Sequence, residues 1–354
     1  MTIAITADLH LTSRAEHPQR FAALEDILFQ MLACDTQTLV IAGDLFDENR
    51  RDFHEFEEII GRQDFRSLNV VIIPGNHDAN LKQSSFSLPQ LLIIDQPELV
   101  WLEKNGLPLL ILPYSSGASA GDHLAAFREK LTPLEFVLVG HGDYLSGILA
   151  PNPLERGVYM PLSRKDLESY QPARAFLGHT HLPFEINRVV SPGSPAAIDP
   201  TETGRRSFLL FDSITNSLER RSIHKGLIYM QEKFIVVPTD DNFTNLQSDL
   251  RQRVDAWKFS ENELDRVLLK VNFSGCSQDR AALRQKILQE LNGIKLYPDG
   301  EPDLSDVLSE GDPAMAAAAS LALQKIDSLL FSNTSAKPDL SEIQRAVFHL
   351  IYGA

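Results

Sequence analysis

Short runs of β-branched and aliphatic residues recur along the first half of the chain, and each stops at a small or turn-forming residue followed by Asp, Asn or His. The runs are Ile3-Ala-Ile-Thr6, Thr38-Leu-Val-Ile-Ala42, Val70-Val-Ile-Ile73, Phe136-Val-Leu-Val139 and Ala173 to Leu177. Their length and their bounding turns predict buried strands. Between the first two, Phe21, Leu24, Ile27, Leu28, Met31 and Leu32 recur at helical spacing, which predicts a helix from about Pro18 to Leu32. A second helix is expected from Phe53 to Ile60 and a further strand from Leu109 to Leu112. Strands that alternate with helices imply an α/β fold.

The pattern changes twice more. Residues 226–300 read as strand, helix, strand, helix: Ile228 to Val237, Phe243 to Trp257, Val267 to Phe273 and Arg280 to Leu291. Past Pro298 come linker-like Pro, Gly and Asp residues, then an alanine-rich helix from Ala314 to Leu330. A capped amphipathic helix is expected to begin at Asp339, with Leu340, Ile343, Val347, Leu350 and Ile351 as its stripe. The expected domains are therefore 1–225, a small α/β module at 226–300, and a helical segment at 301–354.

What ends the strands carries the chemistry. Pro74-Gly75 closes the Val70 strand and presents Asn76, His77 and Asp78 at its carboxyl end, where open α/β sheets place their sites. Asp8 and His10 are two apart, so in extended chain both point the same way. Asp44 follows Gly43, His141 follows Gly140, and His179 and His181 follow Gly178. Asp8, His10, Asp44, Asn76, His141, His179 and His181 thus offer oxygen and nitrogen ligands with no thiolate among them. Two divalent metal ions sharing one carboxylate fit such a set, each keeping a place for water and substrate. Mixed carboxylate and imidazole donors favour Mn²⁺, with Fe or Zn²⁺ as alternatives, over Ca²⁺ or Mg²⁺.

His77 is better kept out of the metal shell. As an imidazolium it would stabilise charge developing on a metal-bound substrate or protonate a leaving oxygen, a catalytic role. Asp78 is expected to orient it, the other reading being an Asp that closes the turn onto backbone N–H groups. His17, His54, His123, His224 and His349 lack this setting and are expected to be structural or solvated.

Composition narrows the partners. The 354 residues are 43% hydrophobic and 23% charged, an ordinary globular balance. Cys34 and Cys276 are far apart, so neither a disulfide framework nor a thiolate metal site is indicated. No run of apolar residues is long enough to span a membrane, and no basic-then-apolar leader follows Met1, which reads as cytoplasmic. The net charge of −15 argues against a free-standing nucleic-acid binder with a broad basic footprint. A polyanion would be held by local basic groups such as Arg251, Arg253, Arg284 and Lys286, by metals or by a partner chain, although such residues on amphipathic helices are usually just solvated.

In order and spacing, Asp8-x-His10, Gly43-Asp44, Gly75-Asn76-His77-Asp78, Gly140-His141 and Gly178-His179-x-His181 resemble the calcineurin-like metallophosphoesterases. Over residues 1–225 the resemblance implies a four-layer αββα sandwich. It implies that Asp8, His10, Asp44 and His181 hold one metal and that Asp44, Asn76, His141 and His179 hold the other, with Asp44 as the bridge. Within that superfamily, Gly43-Asp-Leu-Phe-Asp47, Leu112-Pro-Tyr114, Ser191-Pro-Gly-Ser-Pro195 and Thr201-Glu-Thr-Gly-Arg205 resemble the SbcD-type exonucleases of DNA double-strand-break repair. Archaeal and eukaryotic relatives place a histidine where this chain has Asp47.

The finer resemblance implies a DNA exo/endonuclease that hydrolyses phosphodiesters with a metal-bridging hydroxide and acts on ends, hairpins or single strands. It also implies a cap domain at 226–300, C-terminal helices that grip an SbcC-type coiled-coil ATPase, and a homodimer. The alternative is a small-molecule phosphodiesterase for cyclic nucleotides or dinucleotides, built on the same centre. The extra module and the Ser191 to Arg205 stretch argue against it.

Overall fold

The chain divides into two units, Met1–Leu227 and Ile228–Ala354. The computed structural model describes residues 2–48, 53–146, 157–236, 243–308 and 313–328, with positions 343, 346, 347, 350 and 351. In the first unit β1 (Thr2–Thr6) leads into α1 (Pro18–Ala33), β2 (Thr38–Ala42), α2 (His54–Ile60) and β3 (Asn69–Ile73). Strands β4 (Leu91–Ile93), β5 (Glu98–Val100) and β6 (Leu109–Leu112) follow, then α3 (Ala120–Ala126), α4 (Arg128–Leu131) and β7 (Val137–His141). After β8 (Tyr144–Leu145) and β9 (Leu162–Ser163) come α5 (Arg164–Tyr170), β10 (Arg174–Gly178), β11 (Phe184–Ile186) and β12 (Val189–Ser191). The hairpin of β13 (Ser207–Asp212) and β14 (Ser217–Ser222) completes the unit.

These strands build one sheet of order β14-β13-β1-β2-β3-β4 and a second of order β11-β12-β10-β7-β6-β5. Strands β1 to β4 run parallel, as do β6, β7, β10 and β12. The antiparallel pairings lie toward the edges.

Period-two alternation then sorts the side chains. Ile3, Ile5, Val40, Val71 and Ile73 of the first sheet share a core with Ile111, Val137, Val139 and Phe176 of the second. Their neighbours Ala4, Leu39, Ile41, Val70 and Ile72 turn the other way, onto Leu24, Ile27 and Leu28 of α1. On the far side Leu110, Leu138, Ala175 and Leu177 pack on Leu124 and Leu131, from α3 and α4. The result is helix, sheet, sheet, helix. Burial on both faces is why the central strands read as unbroken apolar runs. Each fully buried Leu, Ile or Phe is worth roughly 1.5–3 kcal/mol against exposure.

The second unit contains β15 (Ile228–Val236), α6 (Thr244–Ala256), α7 (Glu261–Leu264), β16 (Val267–Cys276), α8 (Arg280–Glu290), β17 (Lys295–Leu296), β18 (Asp303–Leu308) and α9 (Pro313–Asp327). Strand β16 is central: it runs parallel to β15 on one side and to β17 and β18 on the other. Leu246 and Leu250 of α6, with Leu283 and Ile287 of α8, cover Val267, Leu269, Val271 and Phe273.

The sheet does not stop at residue 300, where the helical tail was expected to begin. Strand β18 carries Val307 into the same core. As an edge strand it buries little besides that residue, so Asp303-Leu-Ser-Asp-Val-Leu308 lacks a clear apolar alternation, and its flanking prolines read as a linker. The final helix expected from Asp339 lies mostly outside the described residues, with helical backbone at Ile343, Ala346, Val347, Leu350 and Ile351. Among the described residues no helix is long and apolar enough to cross a membrane.

Candidate metal centre

The loops that follow β1, β2, β3, β7 and β10 are tied to one another by backbone groups. Asp8 N–H donates to the Gly43 carbonyl (3.1 Å) and His10 N–H to the Asp44 carbonyl (3.0 Å). His77 N–H donates to Asp44 Oδ1 (2.9 Å), and His179 N–H to Asp8 Oδ1 (2.8 Å), so loops from both sheets converge on two buried carboxylates. Asp8, His10, Asp44, His179 and His181 all have positive φ, from 45° to 99°. For residues other than Gly such backbone costs on the order of 1 kcal/mol or more each, and it persists where the surroundings force it.

Two glycines are fixed by close approach rather than by turn preference alone. A Cβ on Gly43, whose φ is +92°, would run into the His141 ring, and one on Gly75 would run into the Asp44 carboxylate.

All seven ligands expected from the sequence stand together. Ligand atoms of Asp8, His10, Asp44 and His181 lie within 4.8 Å of one another, and so do those of Asp44, His141 and His179. Asn76 joins the second group, its Oδ1 lying 2.8 Å from His141 Nε2 and 3.1 Å from His179 Nδ1. Asp44 belongs to both. Of the histidines set aside, His17, His54, His123 and His224 enter none of these groups, and His349 lies outside the described residues.

The donor set fits cations. His141 Nδ1 lies 3.0 Å from the Ala42 carbonyl, to which it donates, so Nε2 is left to face Asn76 Oδ1 and Asp44 Oδ2, the latter at 3.2 Å. His10 Nε2 faces His181 Nε2 at 3.1 Å and Asp44 Oδ2 at 3.6 Å. Asp44 Oδ2 itself is buried within ion-pair distance of two imidazoles yet accepts no hydrogen bond. Lone pairs aimed at one another in a buried space call for positive charge between them.

Without a metal, protons supply part of that charge. Burial works against the charge on His141, but Asp44 and Asp8 beside it push its pKa up to about 9. Burial also opposes ionisation of Asp44, and His141 and His10 outweigh it, holding the carboxyl well below the usual range. His179, buried and next to His141, is driven down to about 3.

Residues 1–183, just over half of the 354-residue chain, match the calcineurin-like phosphoesterase (Metallophos) family. The chain belongs to that family. No curated protein matches it. The matched stretch ends just past His181, so it takes in every ligand named above. Membership makes the chain a metal-dependent phosphoester hydrolase, and the Asp and His groups are where this phosphoesterase can bind its divalent metals.

The two residues beside Asn76 differ in their surroundings. His77 is partly exposed, and its Nδ1 lies 3.5 Å from Asp47 Oδ1. Of the two roles expected of Asp78, orienting His77 or closing the turn onto backbone N–H groups, it takes the second, its oxygens accepting from the Gly75 N–H (2.7 Å) and the Phe46 N–H (3.1 Å). It fastens the loop after β3 to the loop after β2, and burial together with the charge of Asp44 pushes its pKa up to about 6. The carboxylate facing the His77 ring is Asp47.

Three further acidic side chains of the phosphoesterase face its candidate ligands. Asp47 Oδ1 is 3.7 Å from His10 Nδ1, Asp143 Oδ2 is 3.7 Å from His179 Nε2, and Glu202 Oε1 is 3.1 Å from His181 Nδ1. Asp47 and Glu202 sit inside motifs noted in the sequence, and Asp143 is two residues past His141. Their contacts join positions from 21 to 37 residues apart in the chain, which no local pattern encodes.

Proposed function

We propose that this phosphoesterase is a two-metal phosphodiesterase, the nuclease subunit of a DNA repair complex of the SbcCD type. The observation that carries the hydrolytic part is the convergence of Asp8, His10, Asp44, Asn76, His141, His179 and His181 on two groups that share Asp44. When bound there, divalent cations, with Mn²⁺ the best match to the donors, would supply Lewis acidity toward the phosphate and an activated water.

The chain's own residues do the rest. His77 borders a recess of about 480 Å³ lined also by Phe46, Asp47, Asn76 and Ser85, where a phosphodiester can approach. From that position the imidazole can donate to a non-bridging phosphate oxygen or deliver a proton to the leaving alkoxide. Asp47 would hold the ring in orientation.

DNA as substrate is supported by the Gly43–Asp47, Leu112–Tyr114 and Ser191–Arg205 stretches and by the added α/β unit. The same reading includes an SbcC-type ATPase partner, a homodimer and action in the cytoplasm. A second reading, a phosphodiesterase for small diesters, is favoured by the way the basic residues of the second unit are used. Arg251 pairs with Glu290 (2.6 Å), Arg253 with Glu232 (2.6 Å) and Arg284 with Glu301, so three of the four basic residues named as phosphate contacts already face a carboxylate.

The readings separate in an assay of linear duplex, hairpin and single-stranded DNA against small phosphodiesters, with Mn²⁺ and with or without the ATPase. Cleavage of DNA that falls 10²-fold or more in His77→Ala, in line with roughly 10²–10⁴ for a positioned general acid, supports the nuclease. Cleavage of small diesters alone, even with the partner present, overturns it.

A further inference from the structure

We infer that Glu202 is the positioning residue for His181, and that the Ser191–Pro195 and Thr201–Arg206 stretches form a cassette that serves the metal centre. The inference rests on the metal-binding reading of the Asp8, His10, Asp44 and His181 group. It gives those stretches a role that their likeness to a nuclease subfamily does not.

The cassette begins where β12 ends. Gly193 turns the chain at φ +70°, and Ser194 N–H then donates to the His181 carbonyl (3.0 Å). From the next turn Glu202 enters the interior, 4% exposed. Its Oε2 accepts from Ser194 Oγ (2.8 Å), from the Ile198 N–H (3.2 Å) and from Arg206 Nη2 (2.8 Å). Oε1 is left to His181 Nδ1 at 3.1 Å.

Arg206 is equally buried. Its guanidinium donates to the Ser194 carbonyl (2.9 Å) and to the His181 carbonyl (2.6 Å) as well as to Glu202. His181 is thus held twice, at its ring by Glu202 and at its backbone by Arg206 and Ser194.

A neutral imidazole, the form that binds a metal, presents its lone pair at Nε2 when its Nδ1–H is committed to a carboxylate. That atom is the one 3.1 Å from His10 Nε2, inside the ligand group. The carboxylate also makes the imidazole a more basic ligand, and such outer partners are typically worth roughly 10–100-fold in metal affinity or activity. Arg206 cancels the charge of Glu202, which lets an ionised carboxylate remain in the interior. If Glu202 served only to neutralise Arg206, an oxygen aimed at His181 would have no purpose.

The test is Mn²⁺ binding to the full-length, metal-stripped protein, followed by electron paramagnetic resonance and calorimetry. The wild type is expected to show two classes of site. Glu202→Gln should weaken one of them roughly 10–100-fold and leave the other unchanged. His181→Ala should weaken the same class, and the double variant should be no worse there than His181→Ala alone.

Equal weakening of both classes, or a lowered melting temperature with Mn²⁺ affinity intact, overturns the inference. If the wild type binds no Mn²⁺, the metal reading falls and this inference falls with it. Should Glu202→Gln not fold, ¹⁵N-histidine spectra of the Cd²⁺-loaded wild type decide. A proton on His181 Nδ1 with metal coupling at Nε2 supports the assignment, and a proton on Nε2 overturns it.

Discussion

Asp47 Oδ1 stands 3.5 Å from Nδ1 of His77 and, on its other side, 3.7 Å from Nδ1 of His10. One carboxylate therefore links an imidazole of the ligand group to the imidazole that faces the recess, and the two rings meet edge to face with centroids 4.6 Å apart. Arg20, buried on α1, donates to the His10 carbonyl and lies 3.5 Å from Asp47. The imidazoles of His10 and His77 beside it hold the Asp47 carboxyl far below the usual carboxylate range.

Replacing Asp47 by Asn should release His77 while leaving the ligands in place. The expected result, read at saturating Mn²⁺ because Asp47 also faces the ligand His10, is a kcat lowered roughly 10–100-fold with KM unchanged. In a His77→Ala background the same change should have almost no further effect, since both act through one imidazole. Additive losses would show that Asp47 acts by another route.

Asp78 makes a different demand. Its carboxylate satisfies the Gly75 and Phe46 amides, so Asp78→Ala should leave two buried donors unpaired, costing about 2–4 kcal/mol in urea denaturation. Near-wild-type stability with a selective loss of kcat would restore Asp78 to the role of orienting His77.

That exchange of roles shows where sequence reading reached and where it stopped. The sandwich was legible because its strands are buried on both faces and read as unbroken apolar runs. The candidate ligands were legible because each lies at or just past the end of a strand, four of them directly behind a glycine. Asp47 and Asp78 are one residue apart from Phe46 and His77 along the chain, and nothing in that spacing says which carboxylate faces the ring. The crossing of the β2 and β3 loops decides it. The five positive-φ ligand residues were equally hidden, because Asp and His carry no local sign that their backbone is left-handed.

Gly43 tests the close approach of those loops. A methyl group there meets both an unfavourable φ of +92° and the His141 ring. Gly43→Ala should cost about 2 kcal/mol or more and weaken Mn²⁺ binding, as read by denaturation and metal titration. A variant with wild-type stability and metal content would mean that His141 can move aside freely.

Glu202 sets an acid limit on the metal-free protein. Burial raises its pKa, but the hydrogen bond from His181 and the charge of Arg206 outweigh that and hold it below its ordinary 4.5. The folded state therefore binds this proton more weakly than the unfolded chain. The stabilisation is fully present above about pH 4.5 and is lost as pH falls through the folded value. Wild-type urea midpoints should drop more steeply between pH 5 and 3 than those of Glu202→Gln, which should already be less stable by about 3 kcal/mol at pH 7. Parallel pH curves for the two proteins would contradict the shift.

The central claim is that two cations share Asp44. Anomalous diffraction from crystals grown or soaked with Mn²⁺ tests it most directly. The account expects two peaks, one among Asp8, His10, Asp44 and His181 and one among Asp44, Asn76, His141 and His179. A single peak beside His10, Asp47 and His77, or no peak within reach of Asp44, would contradict it.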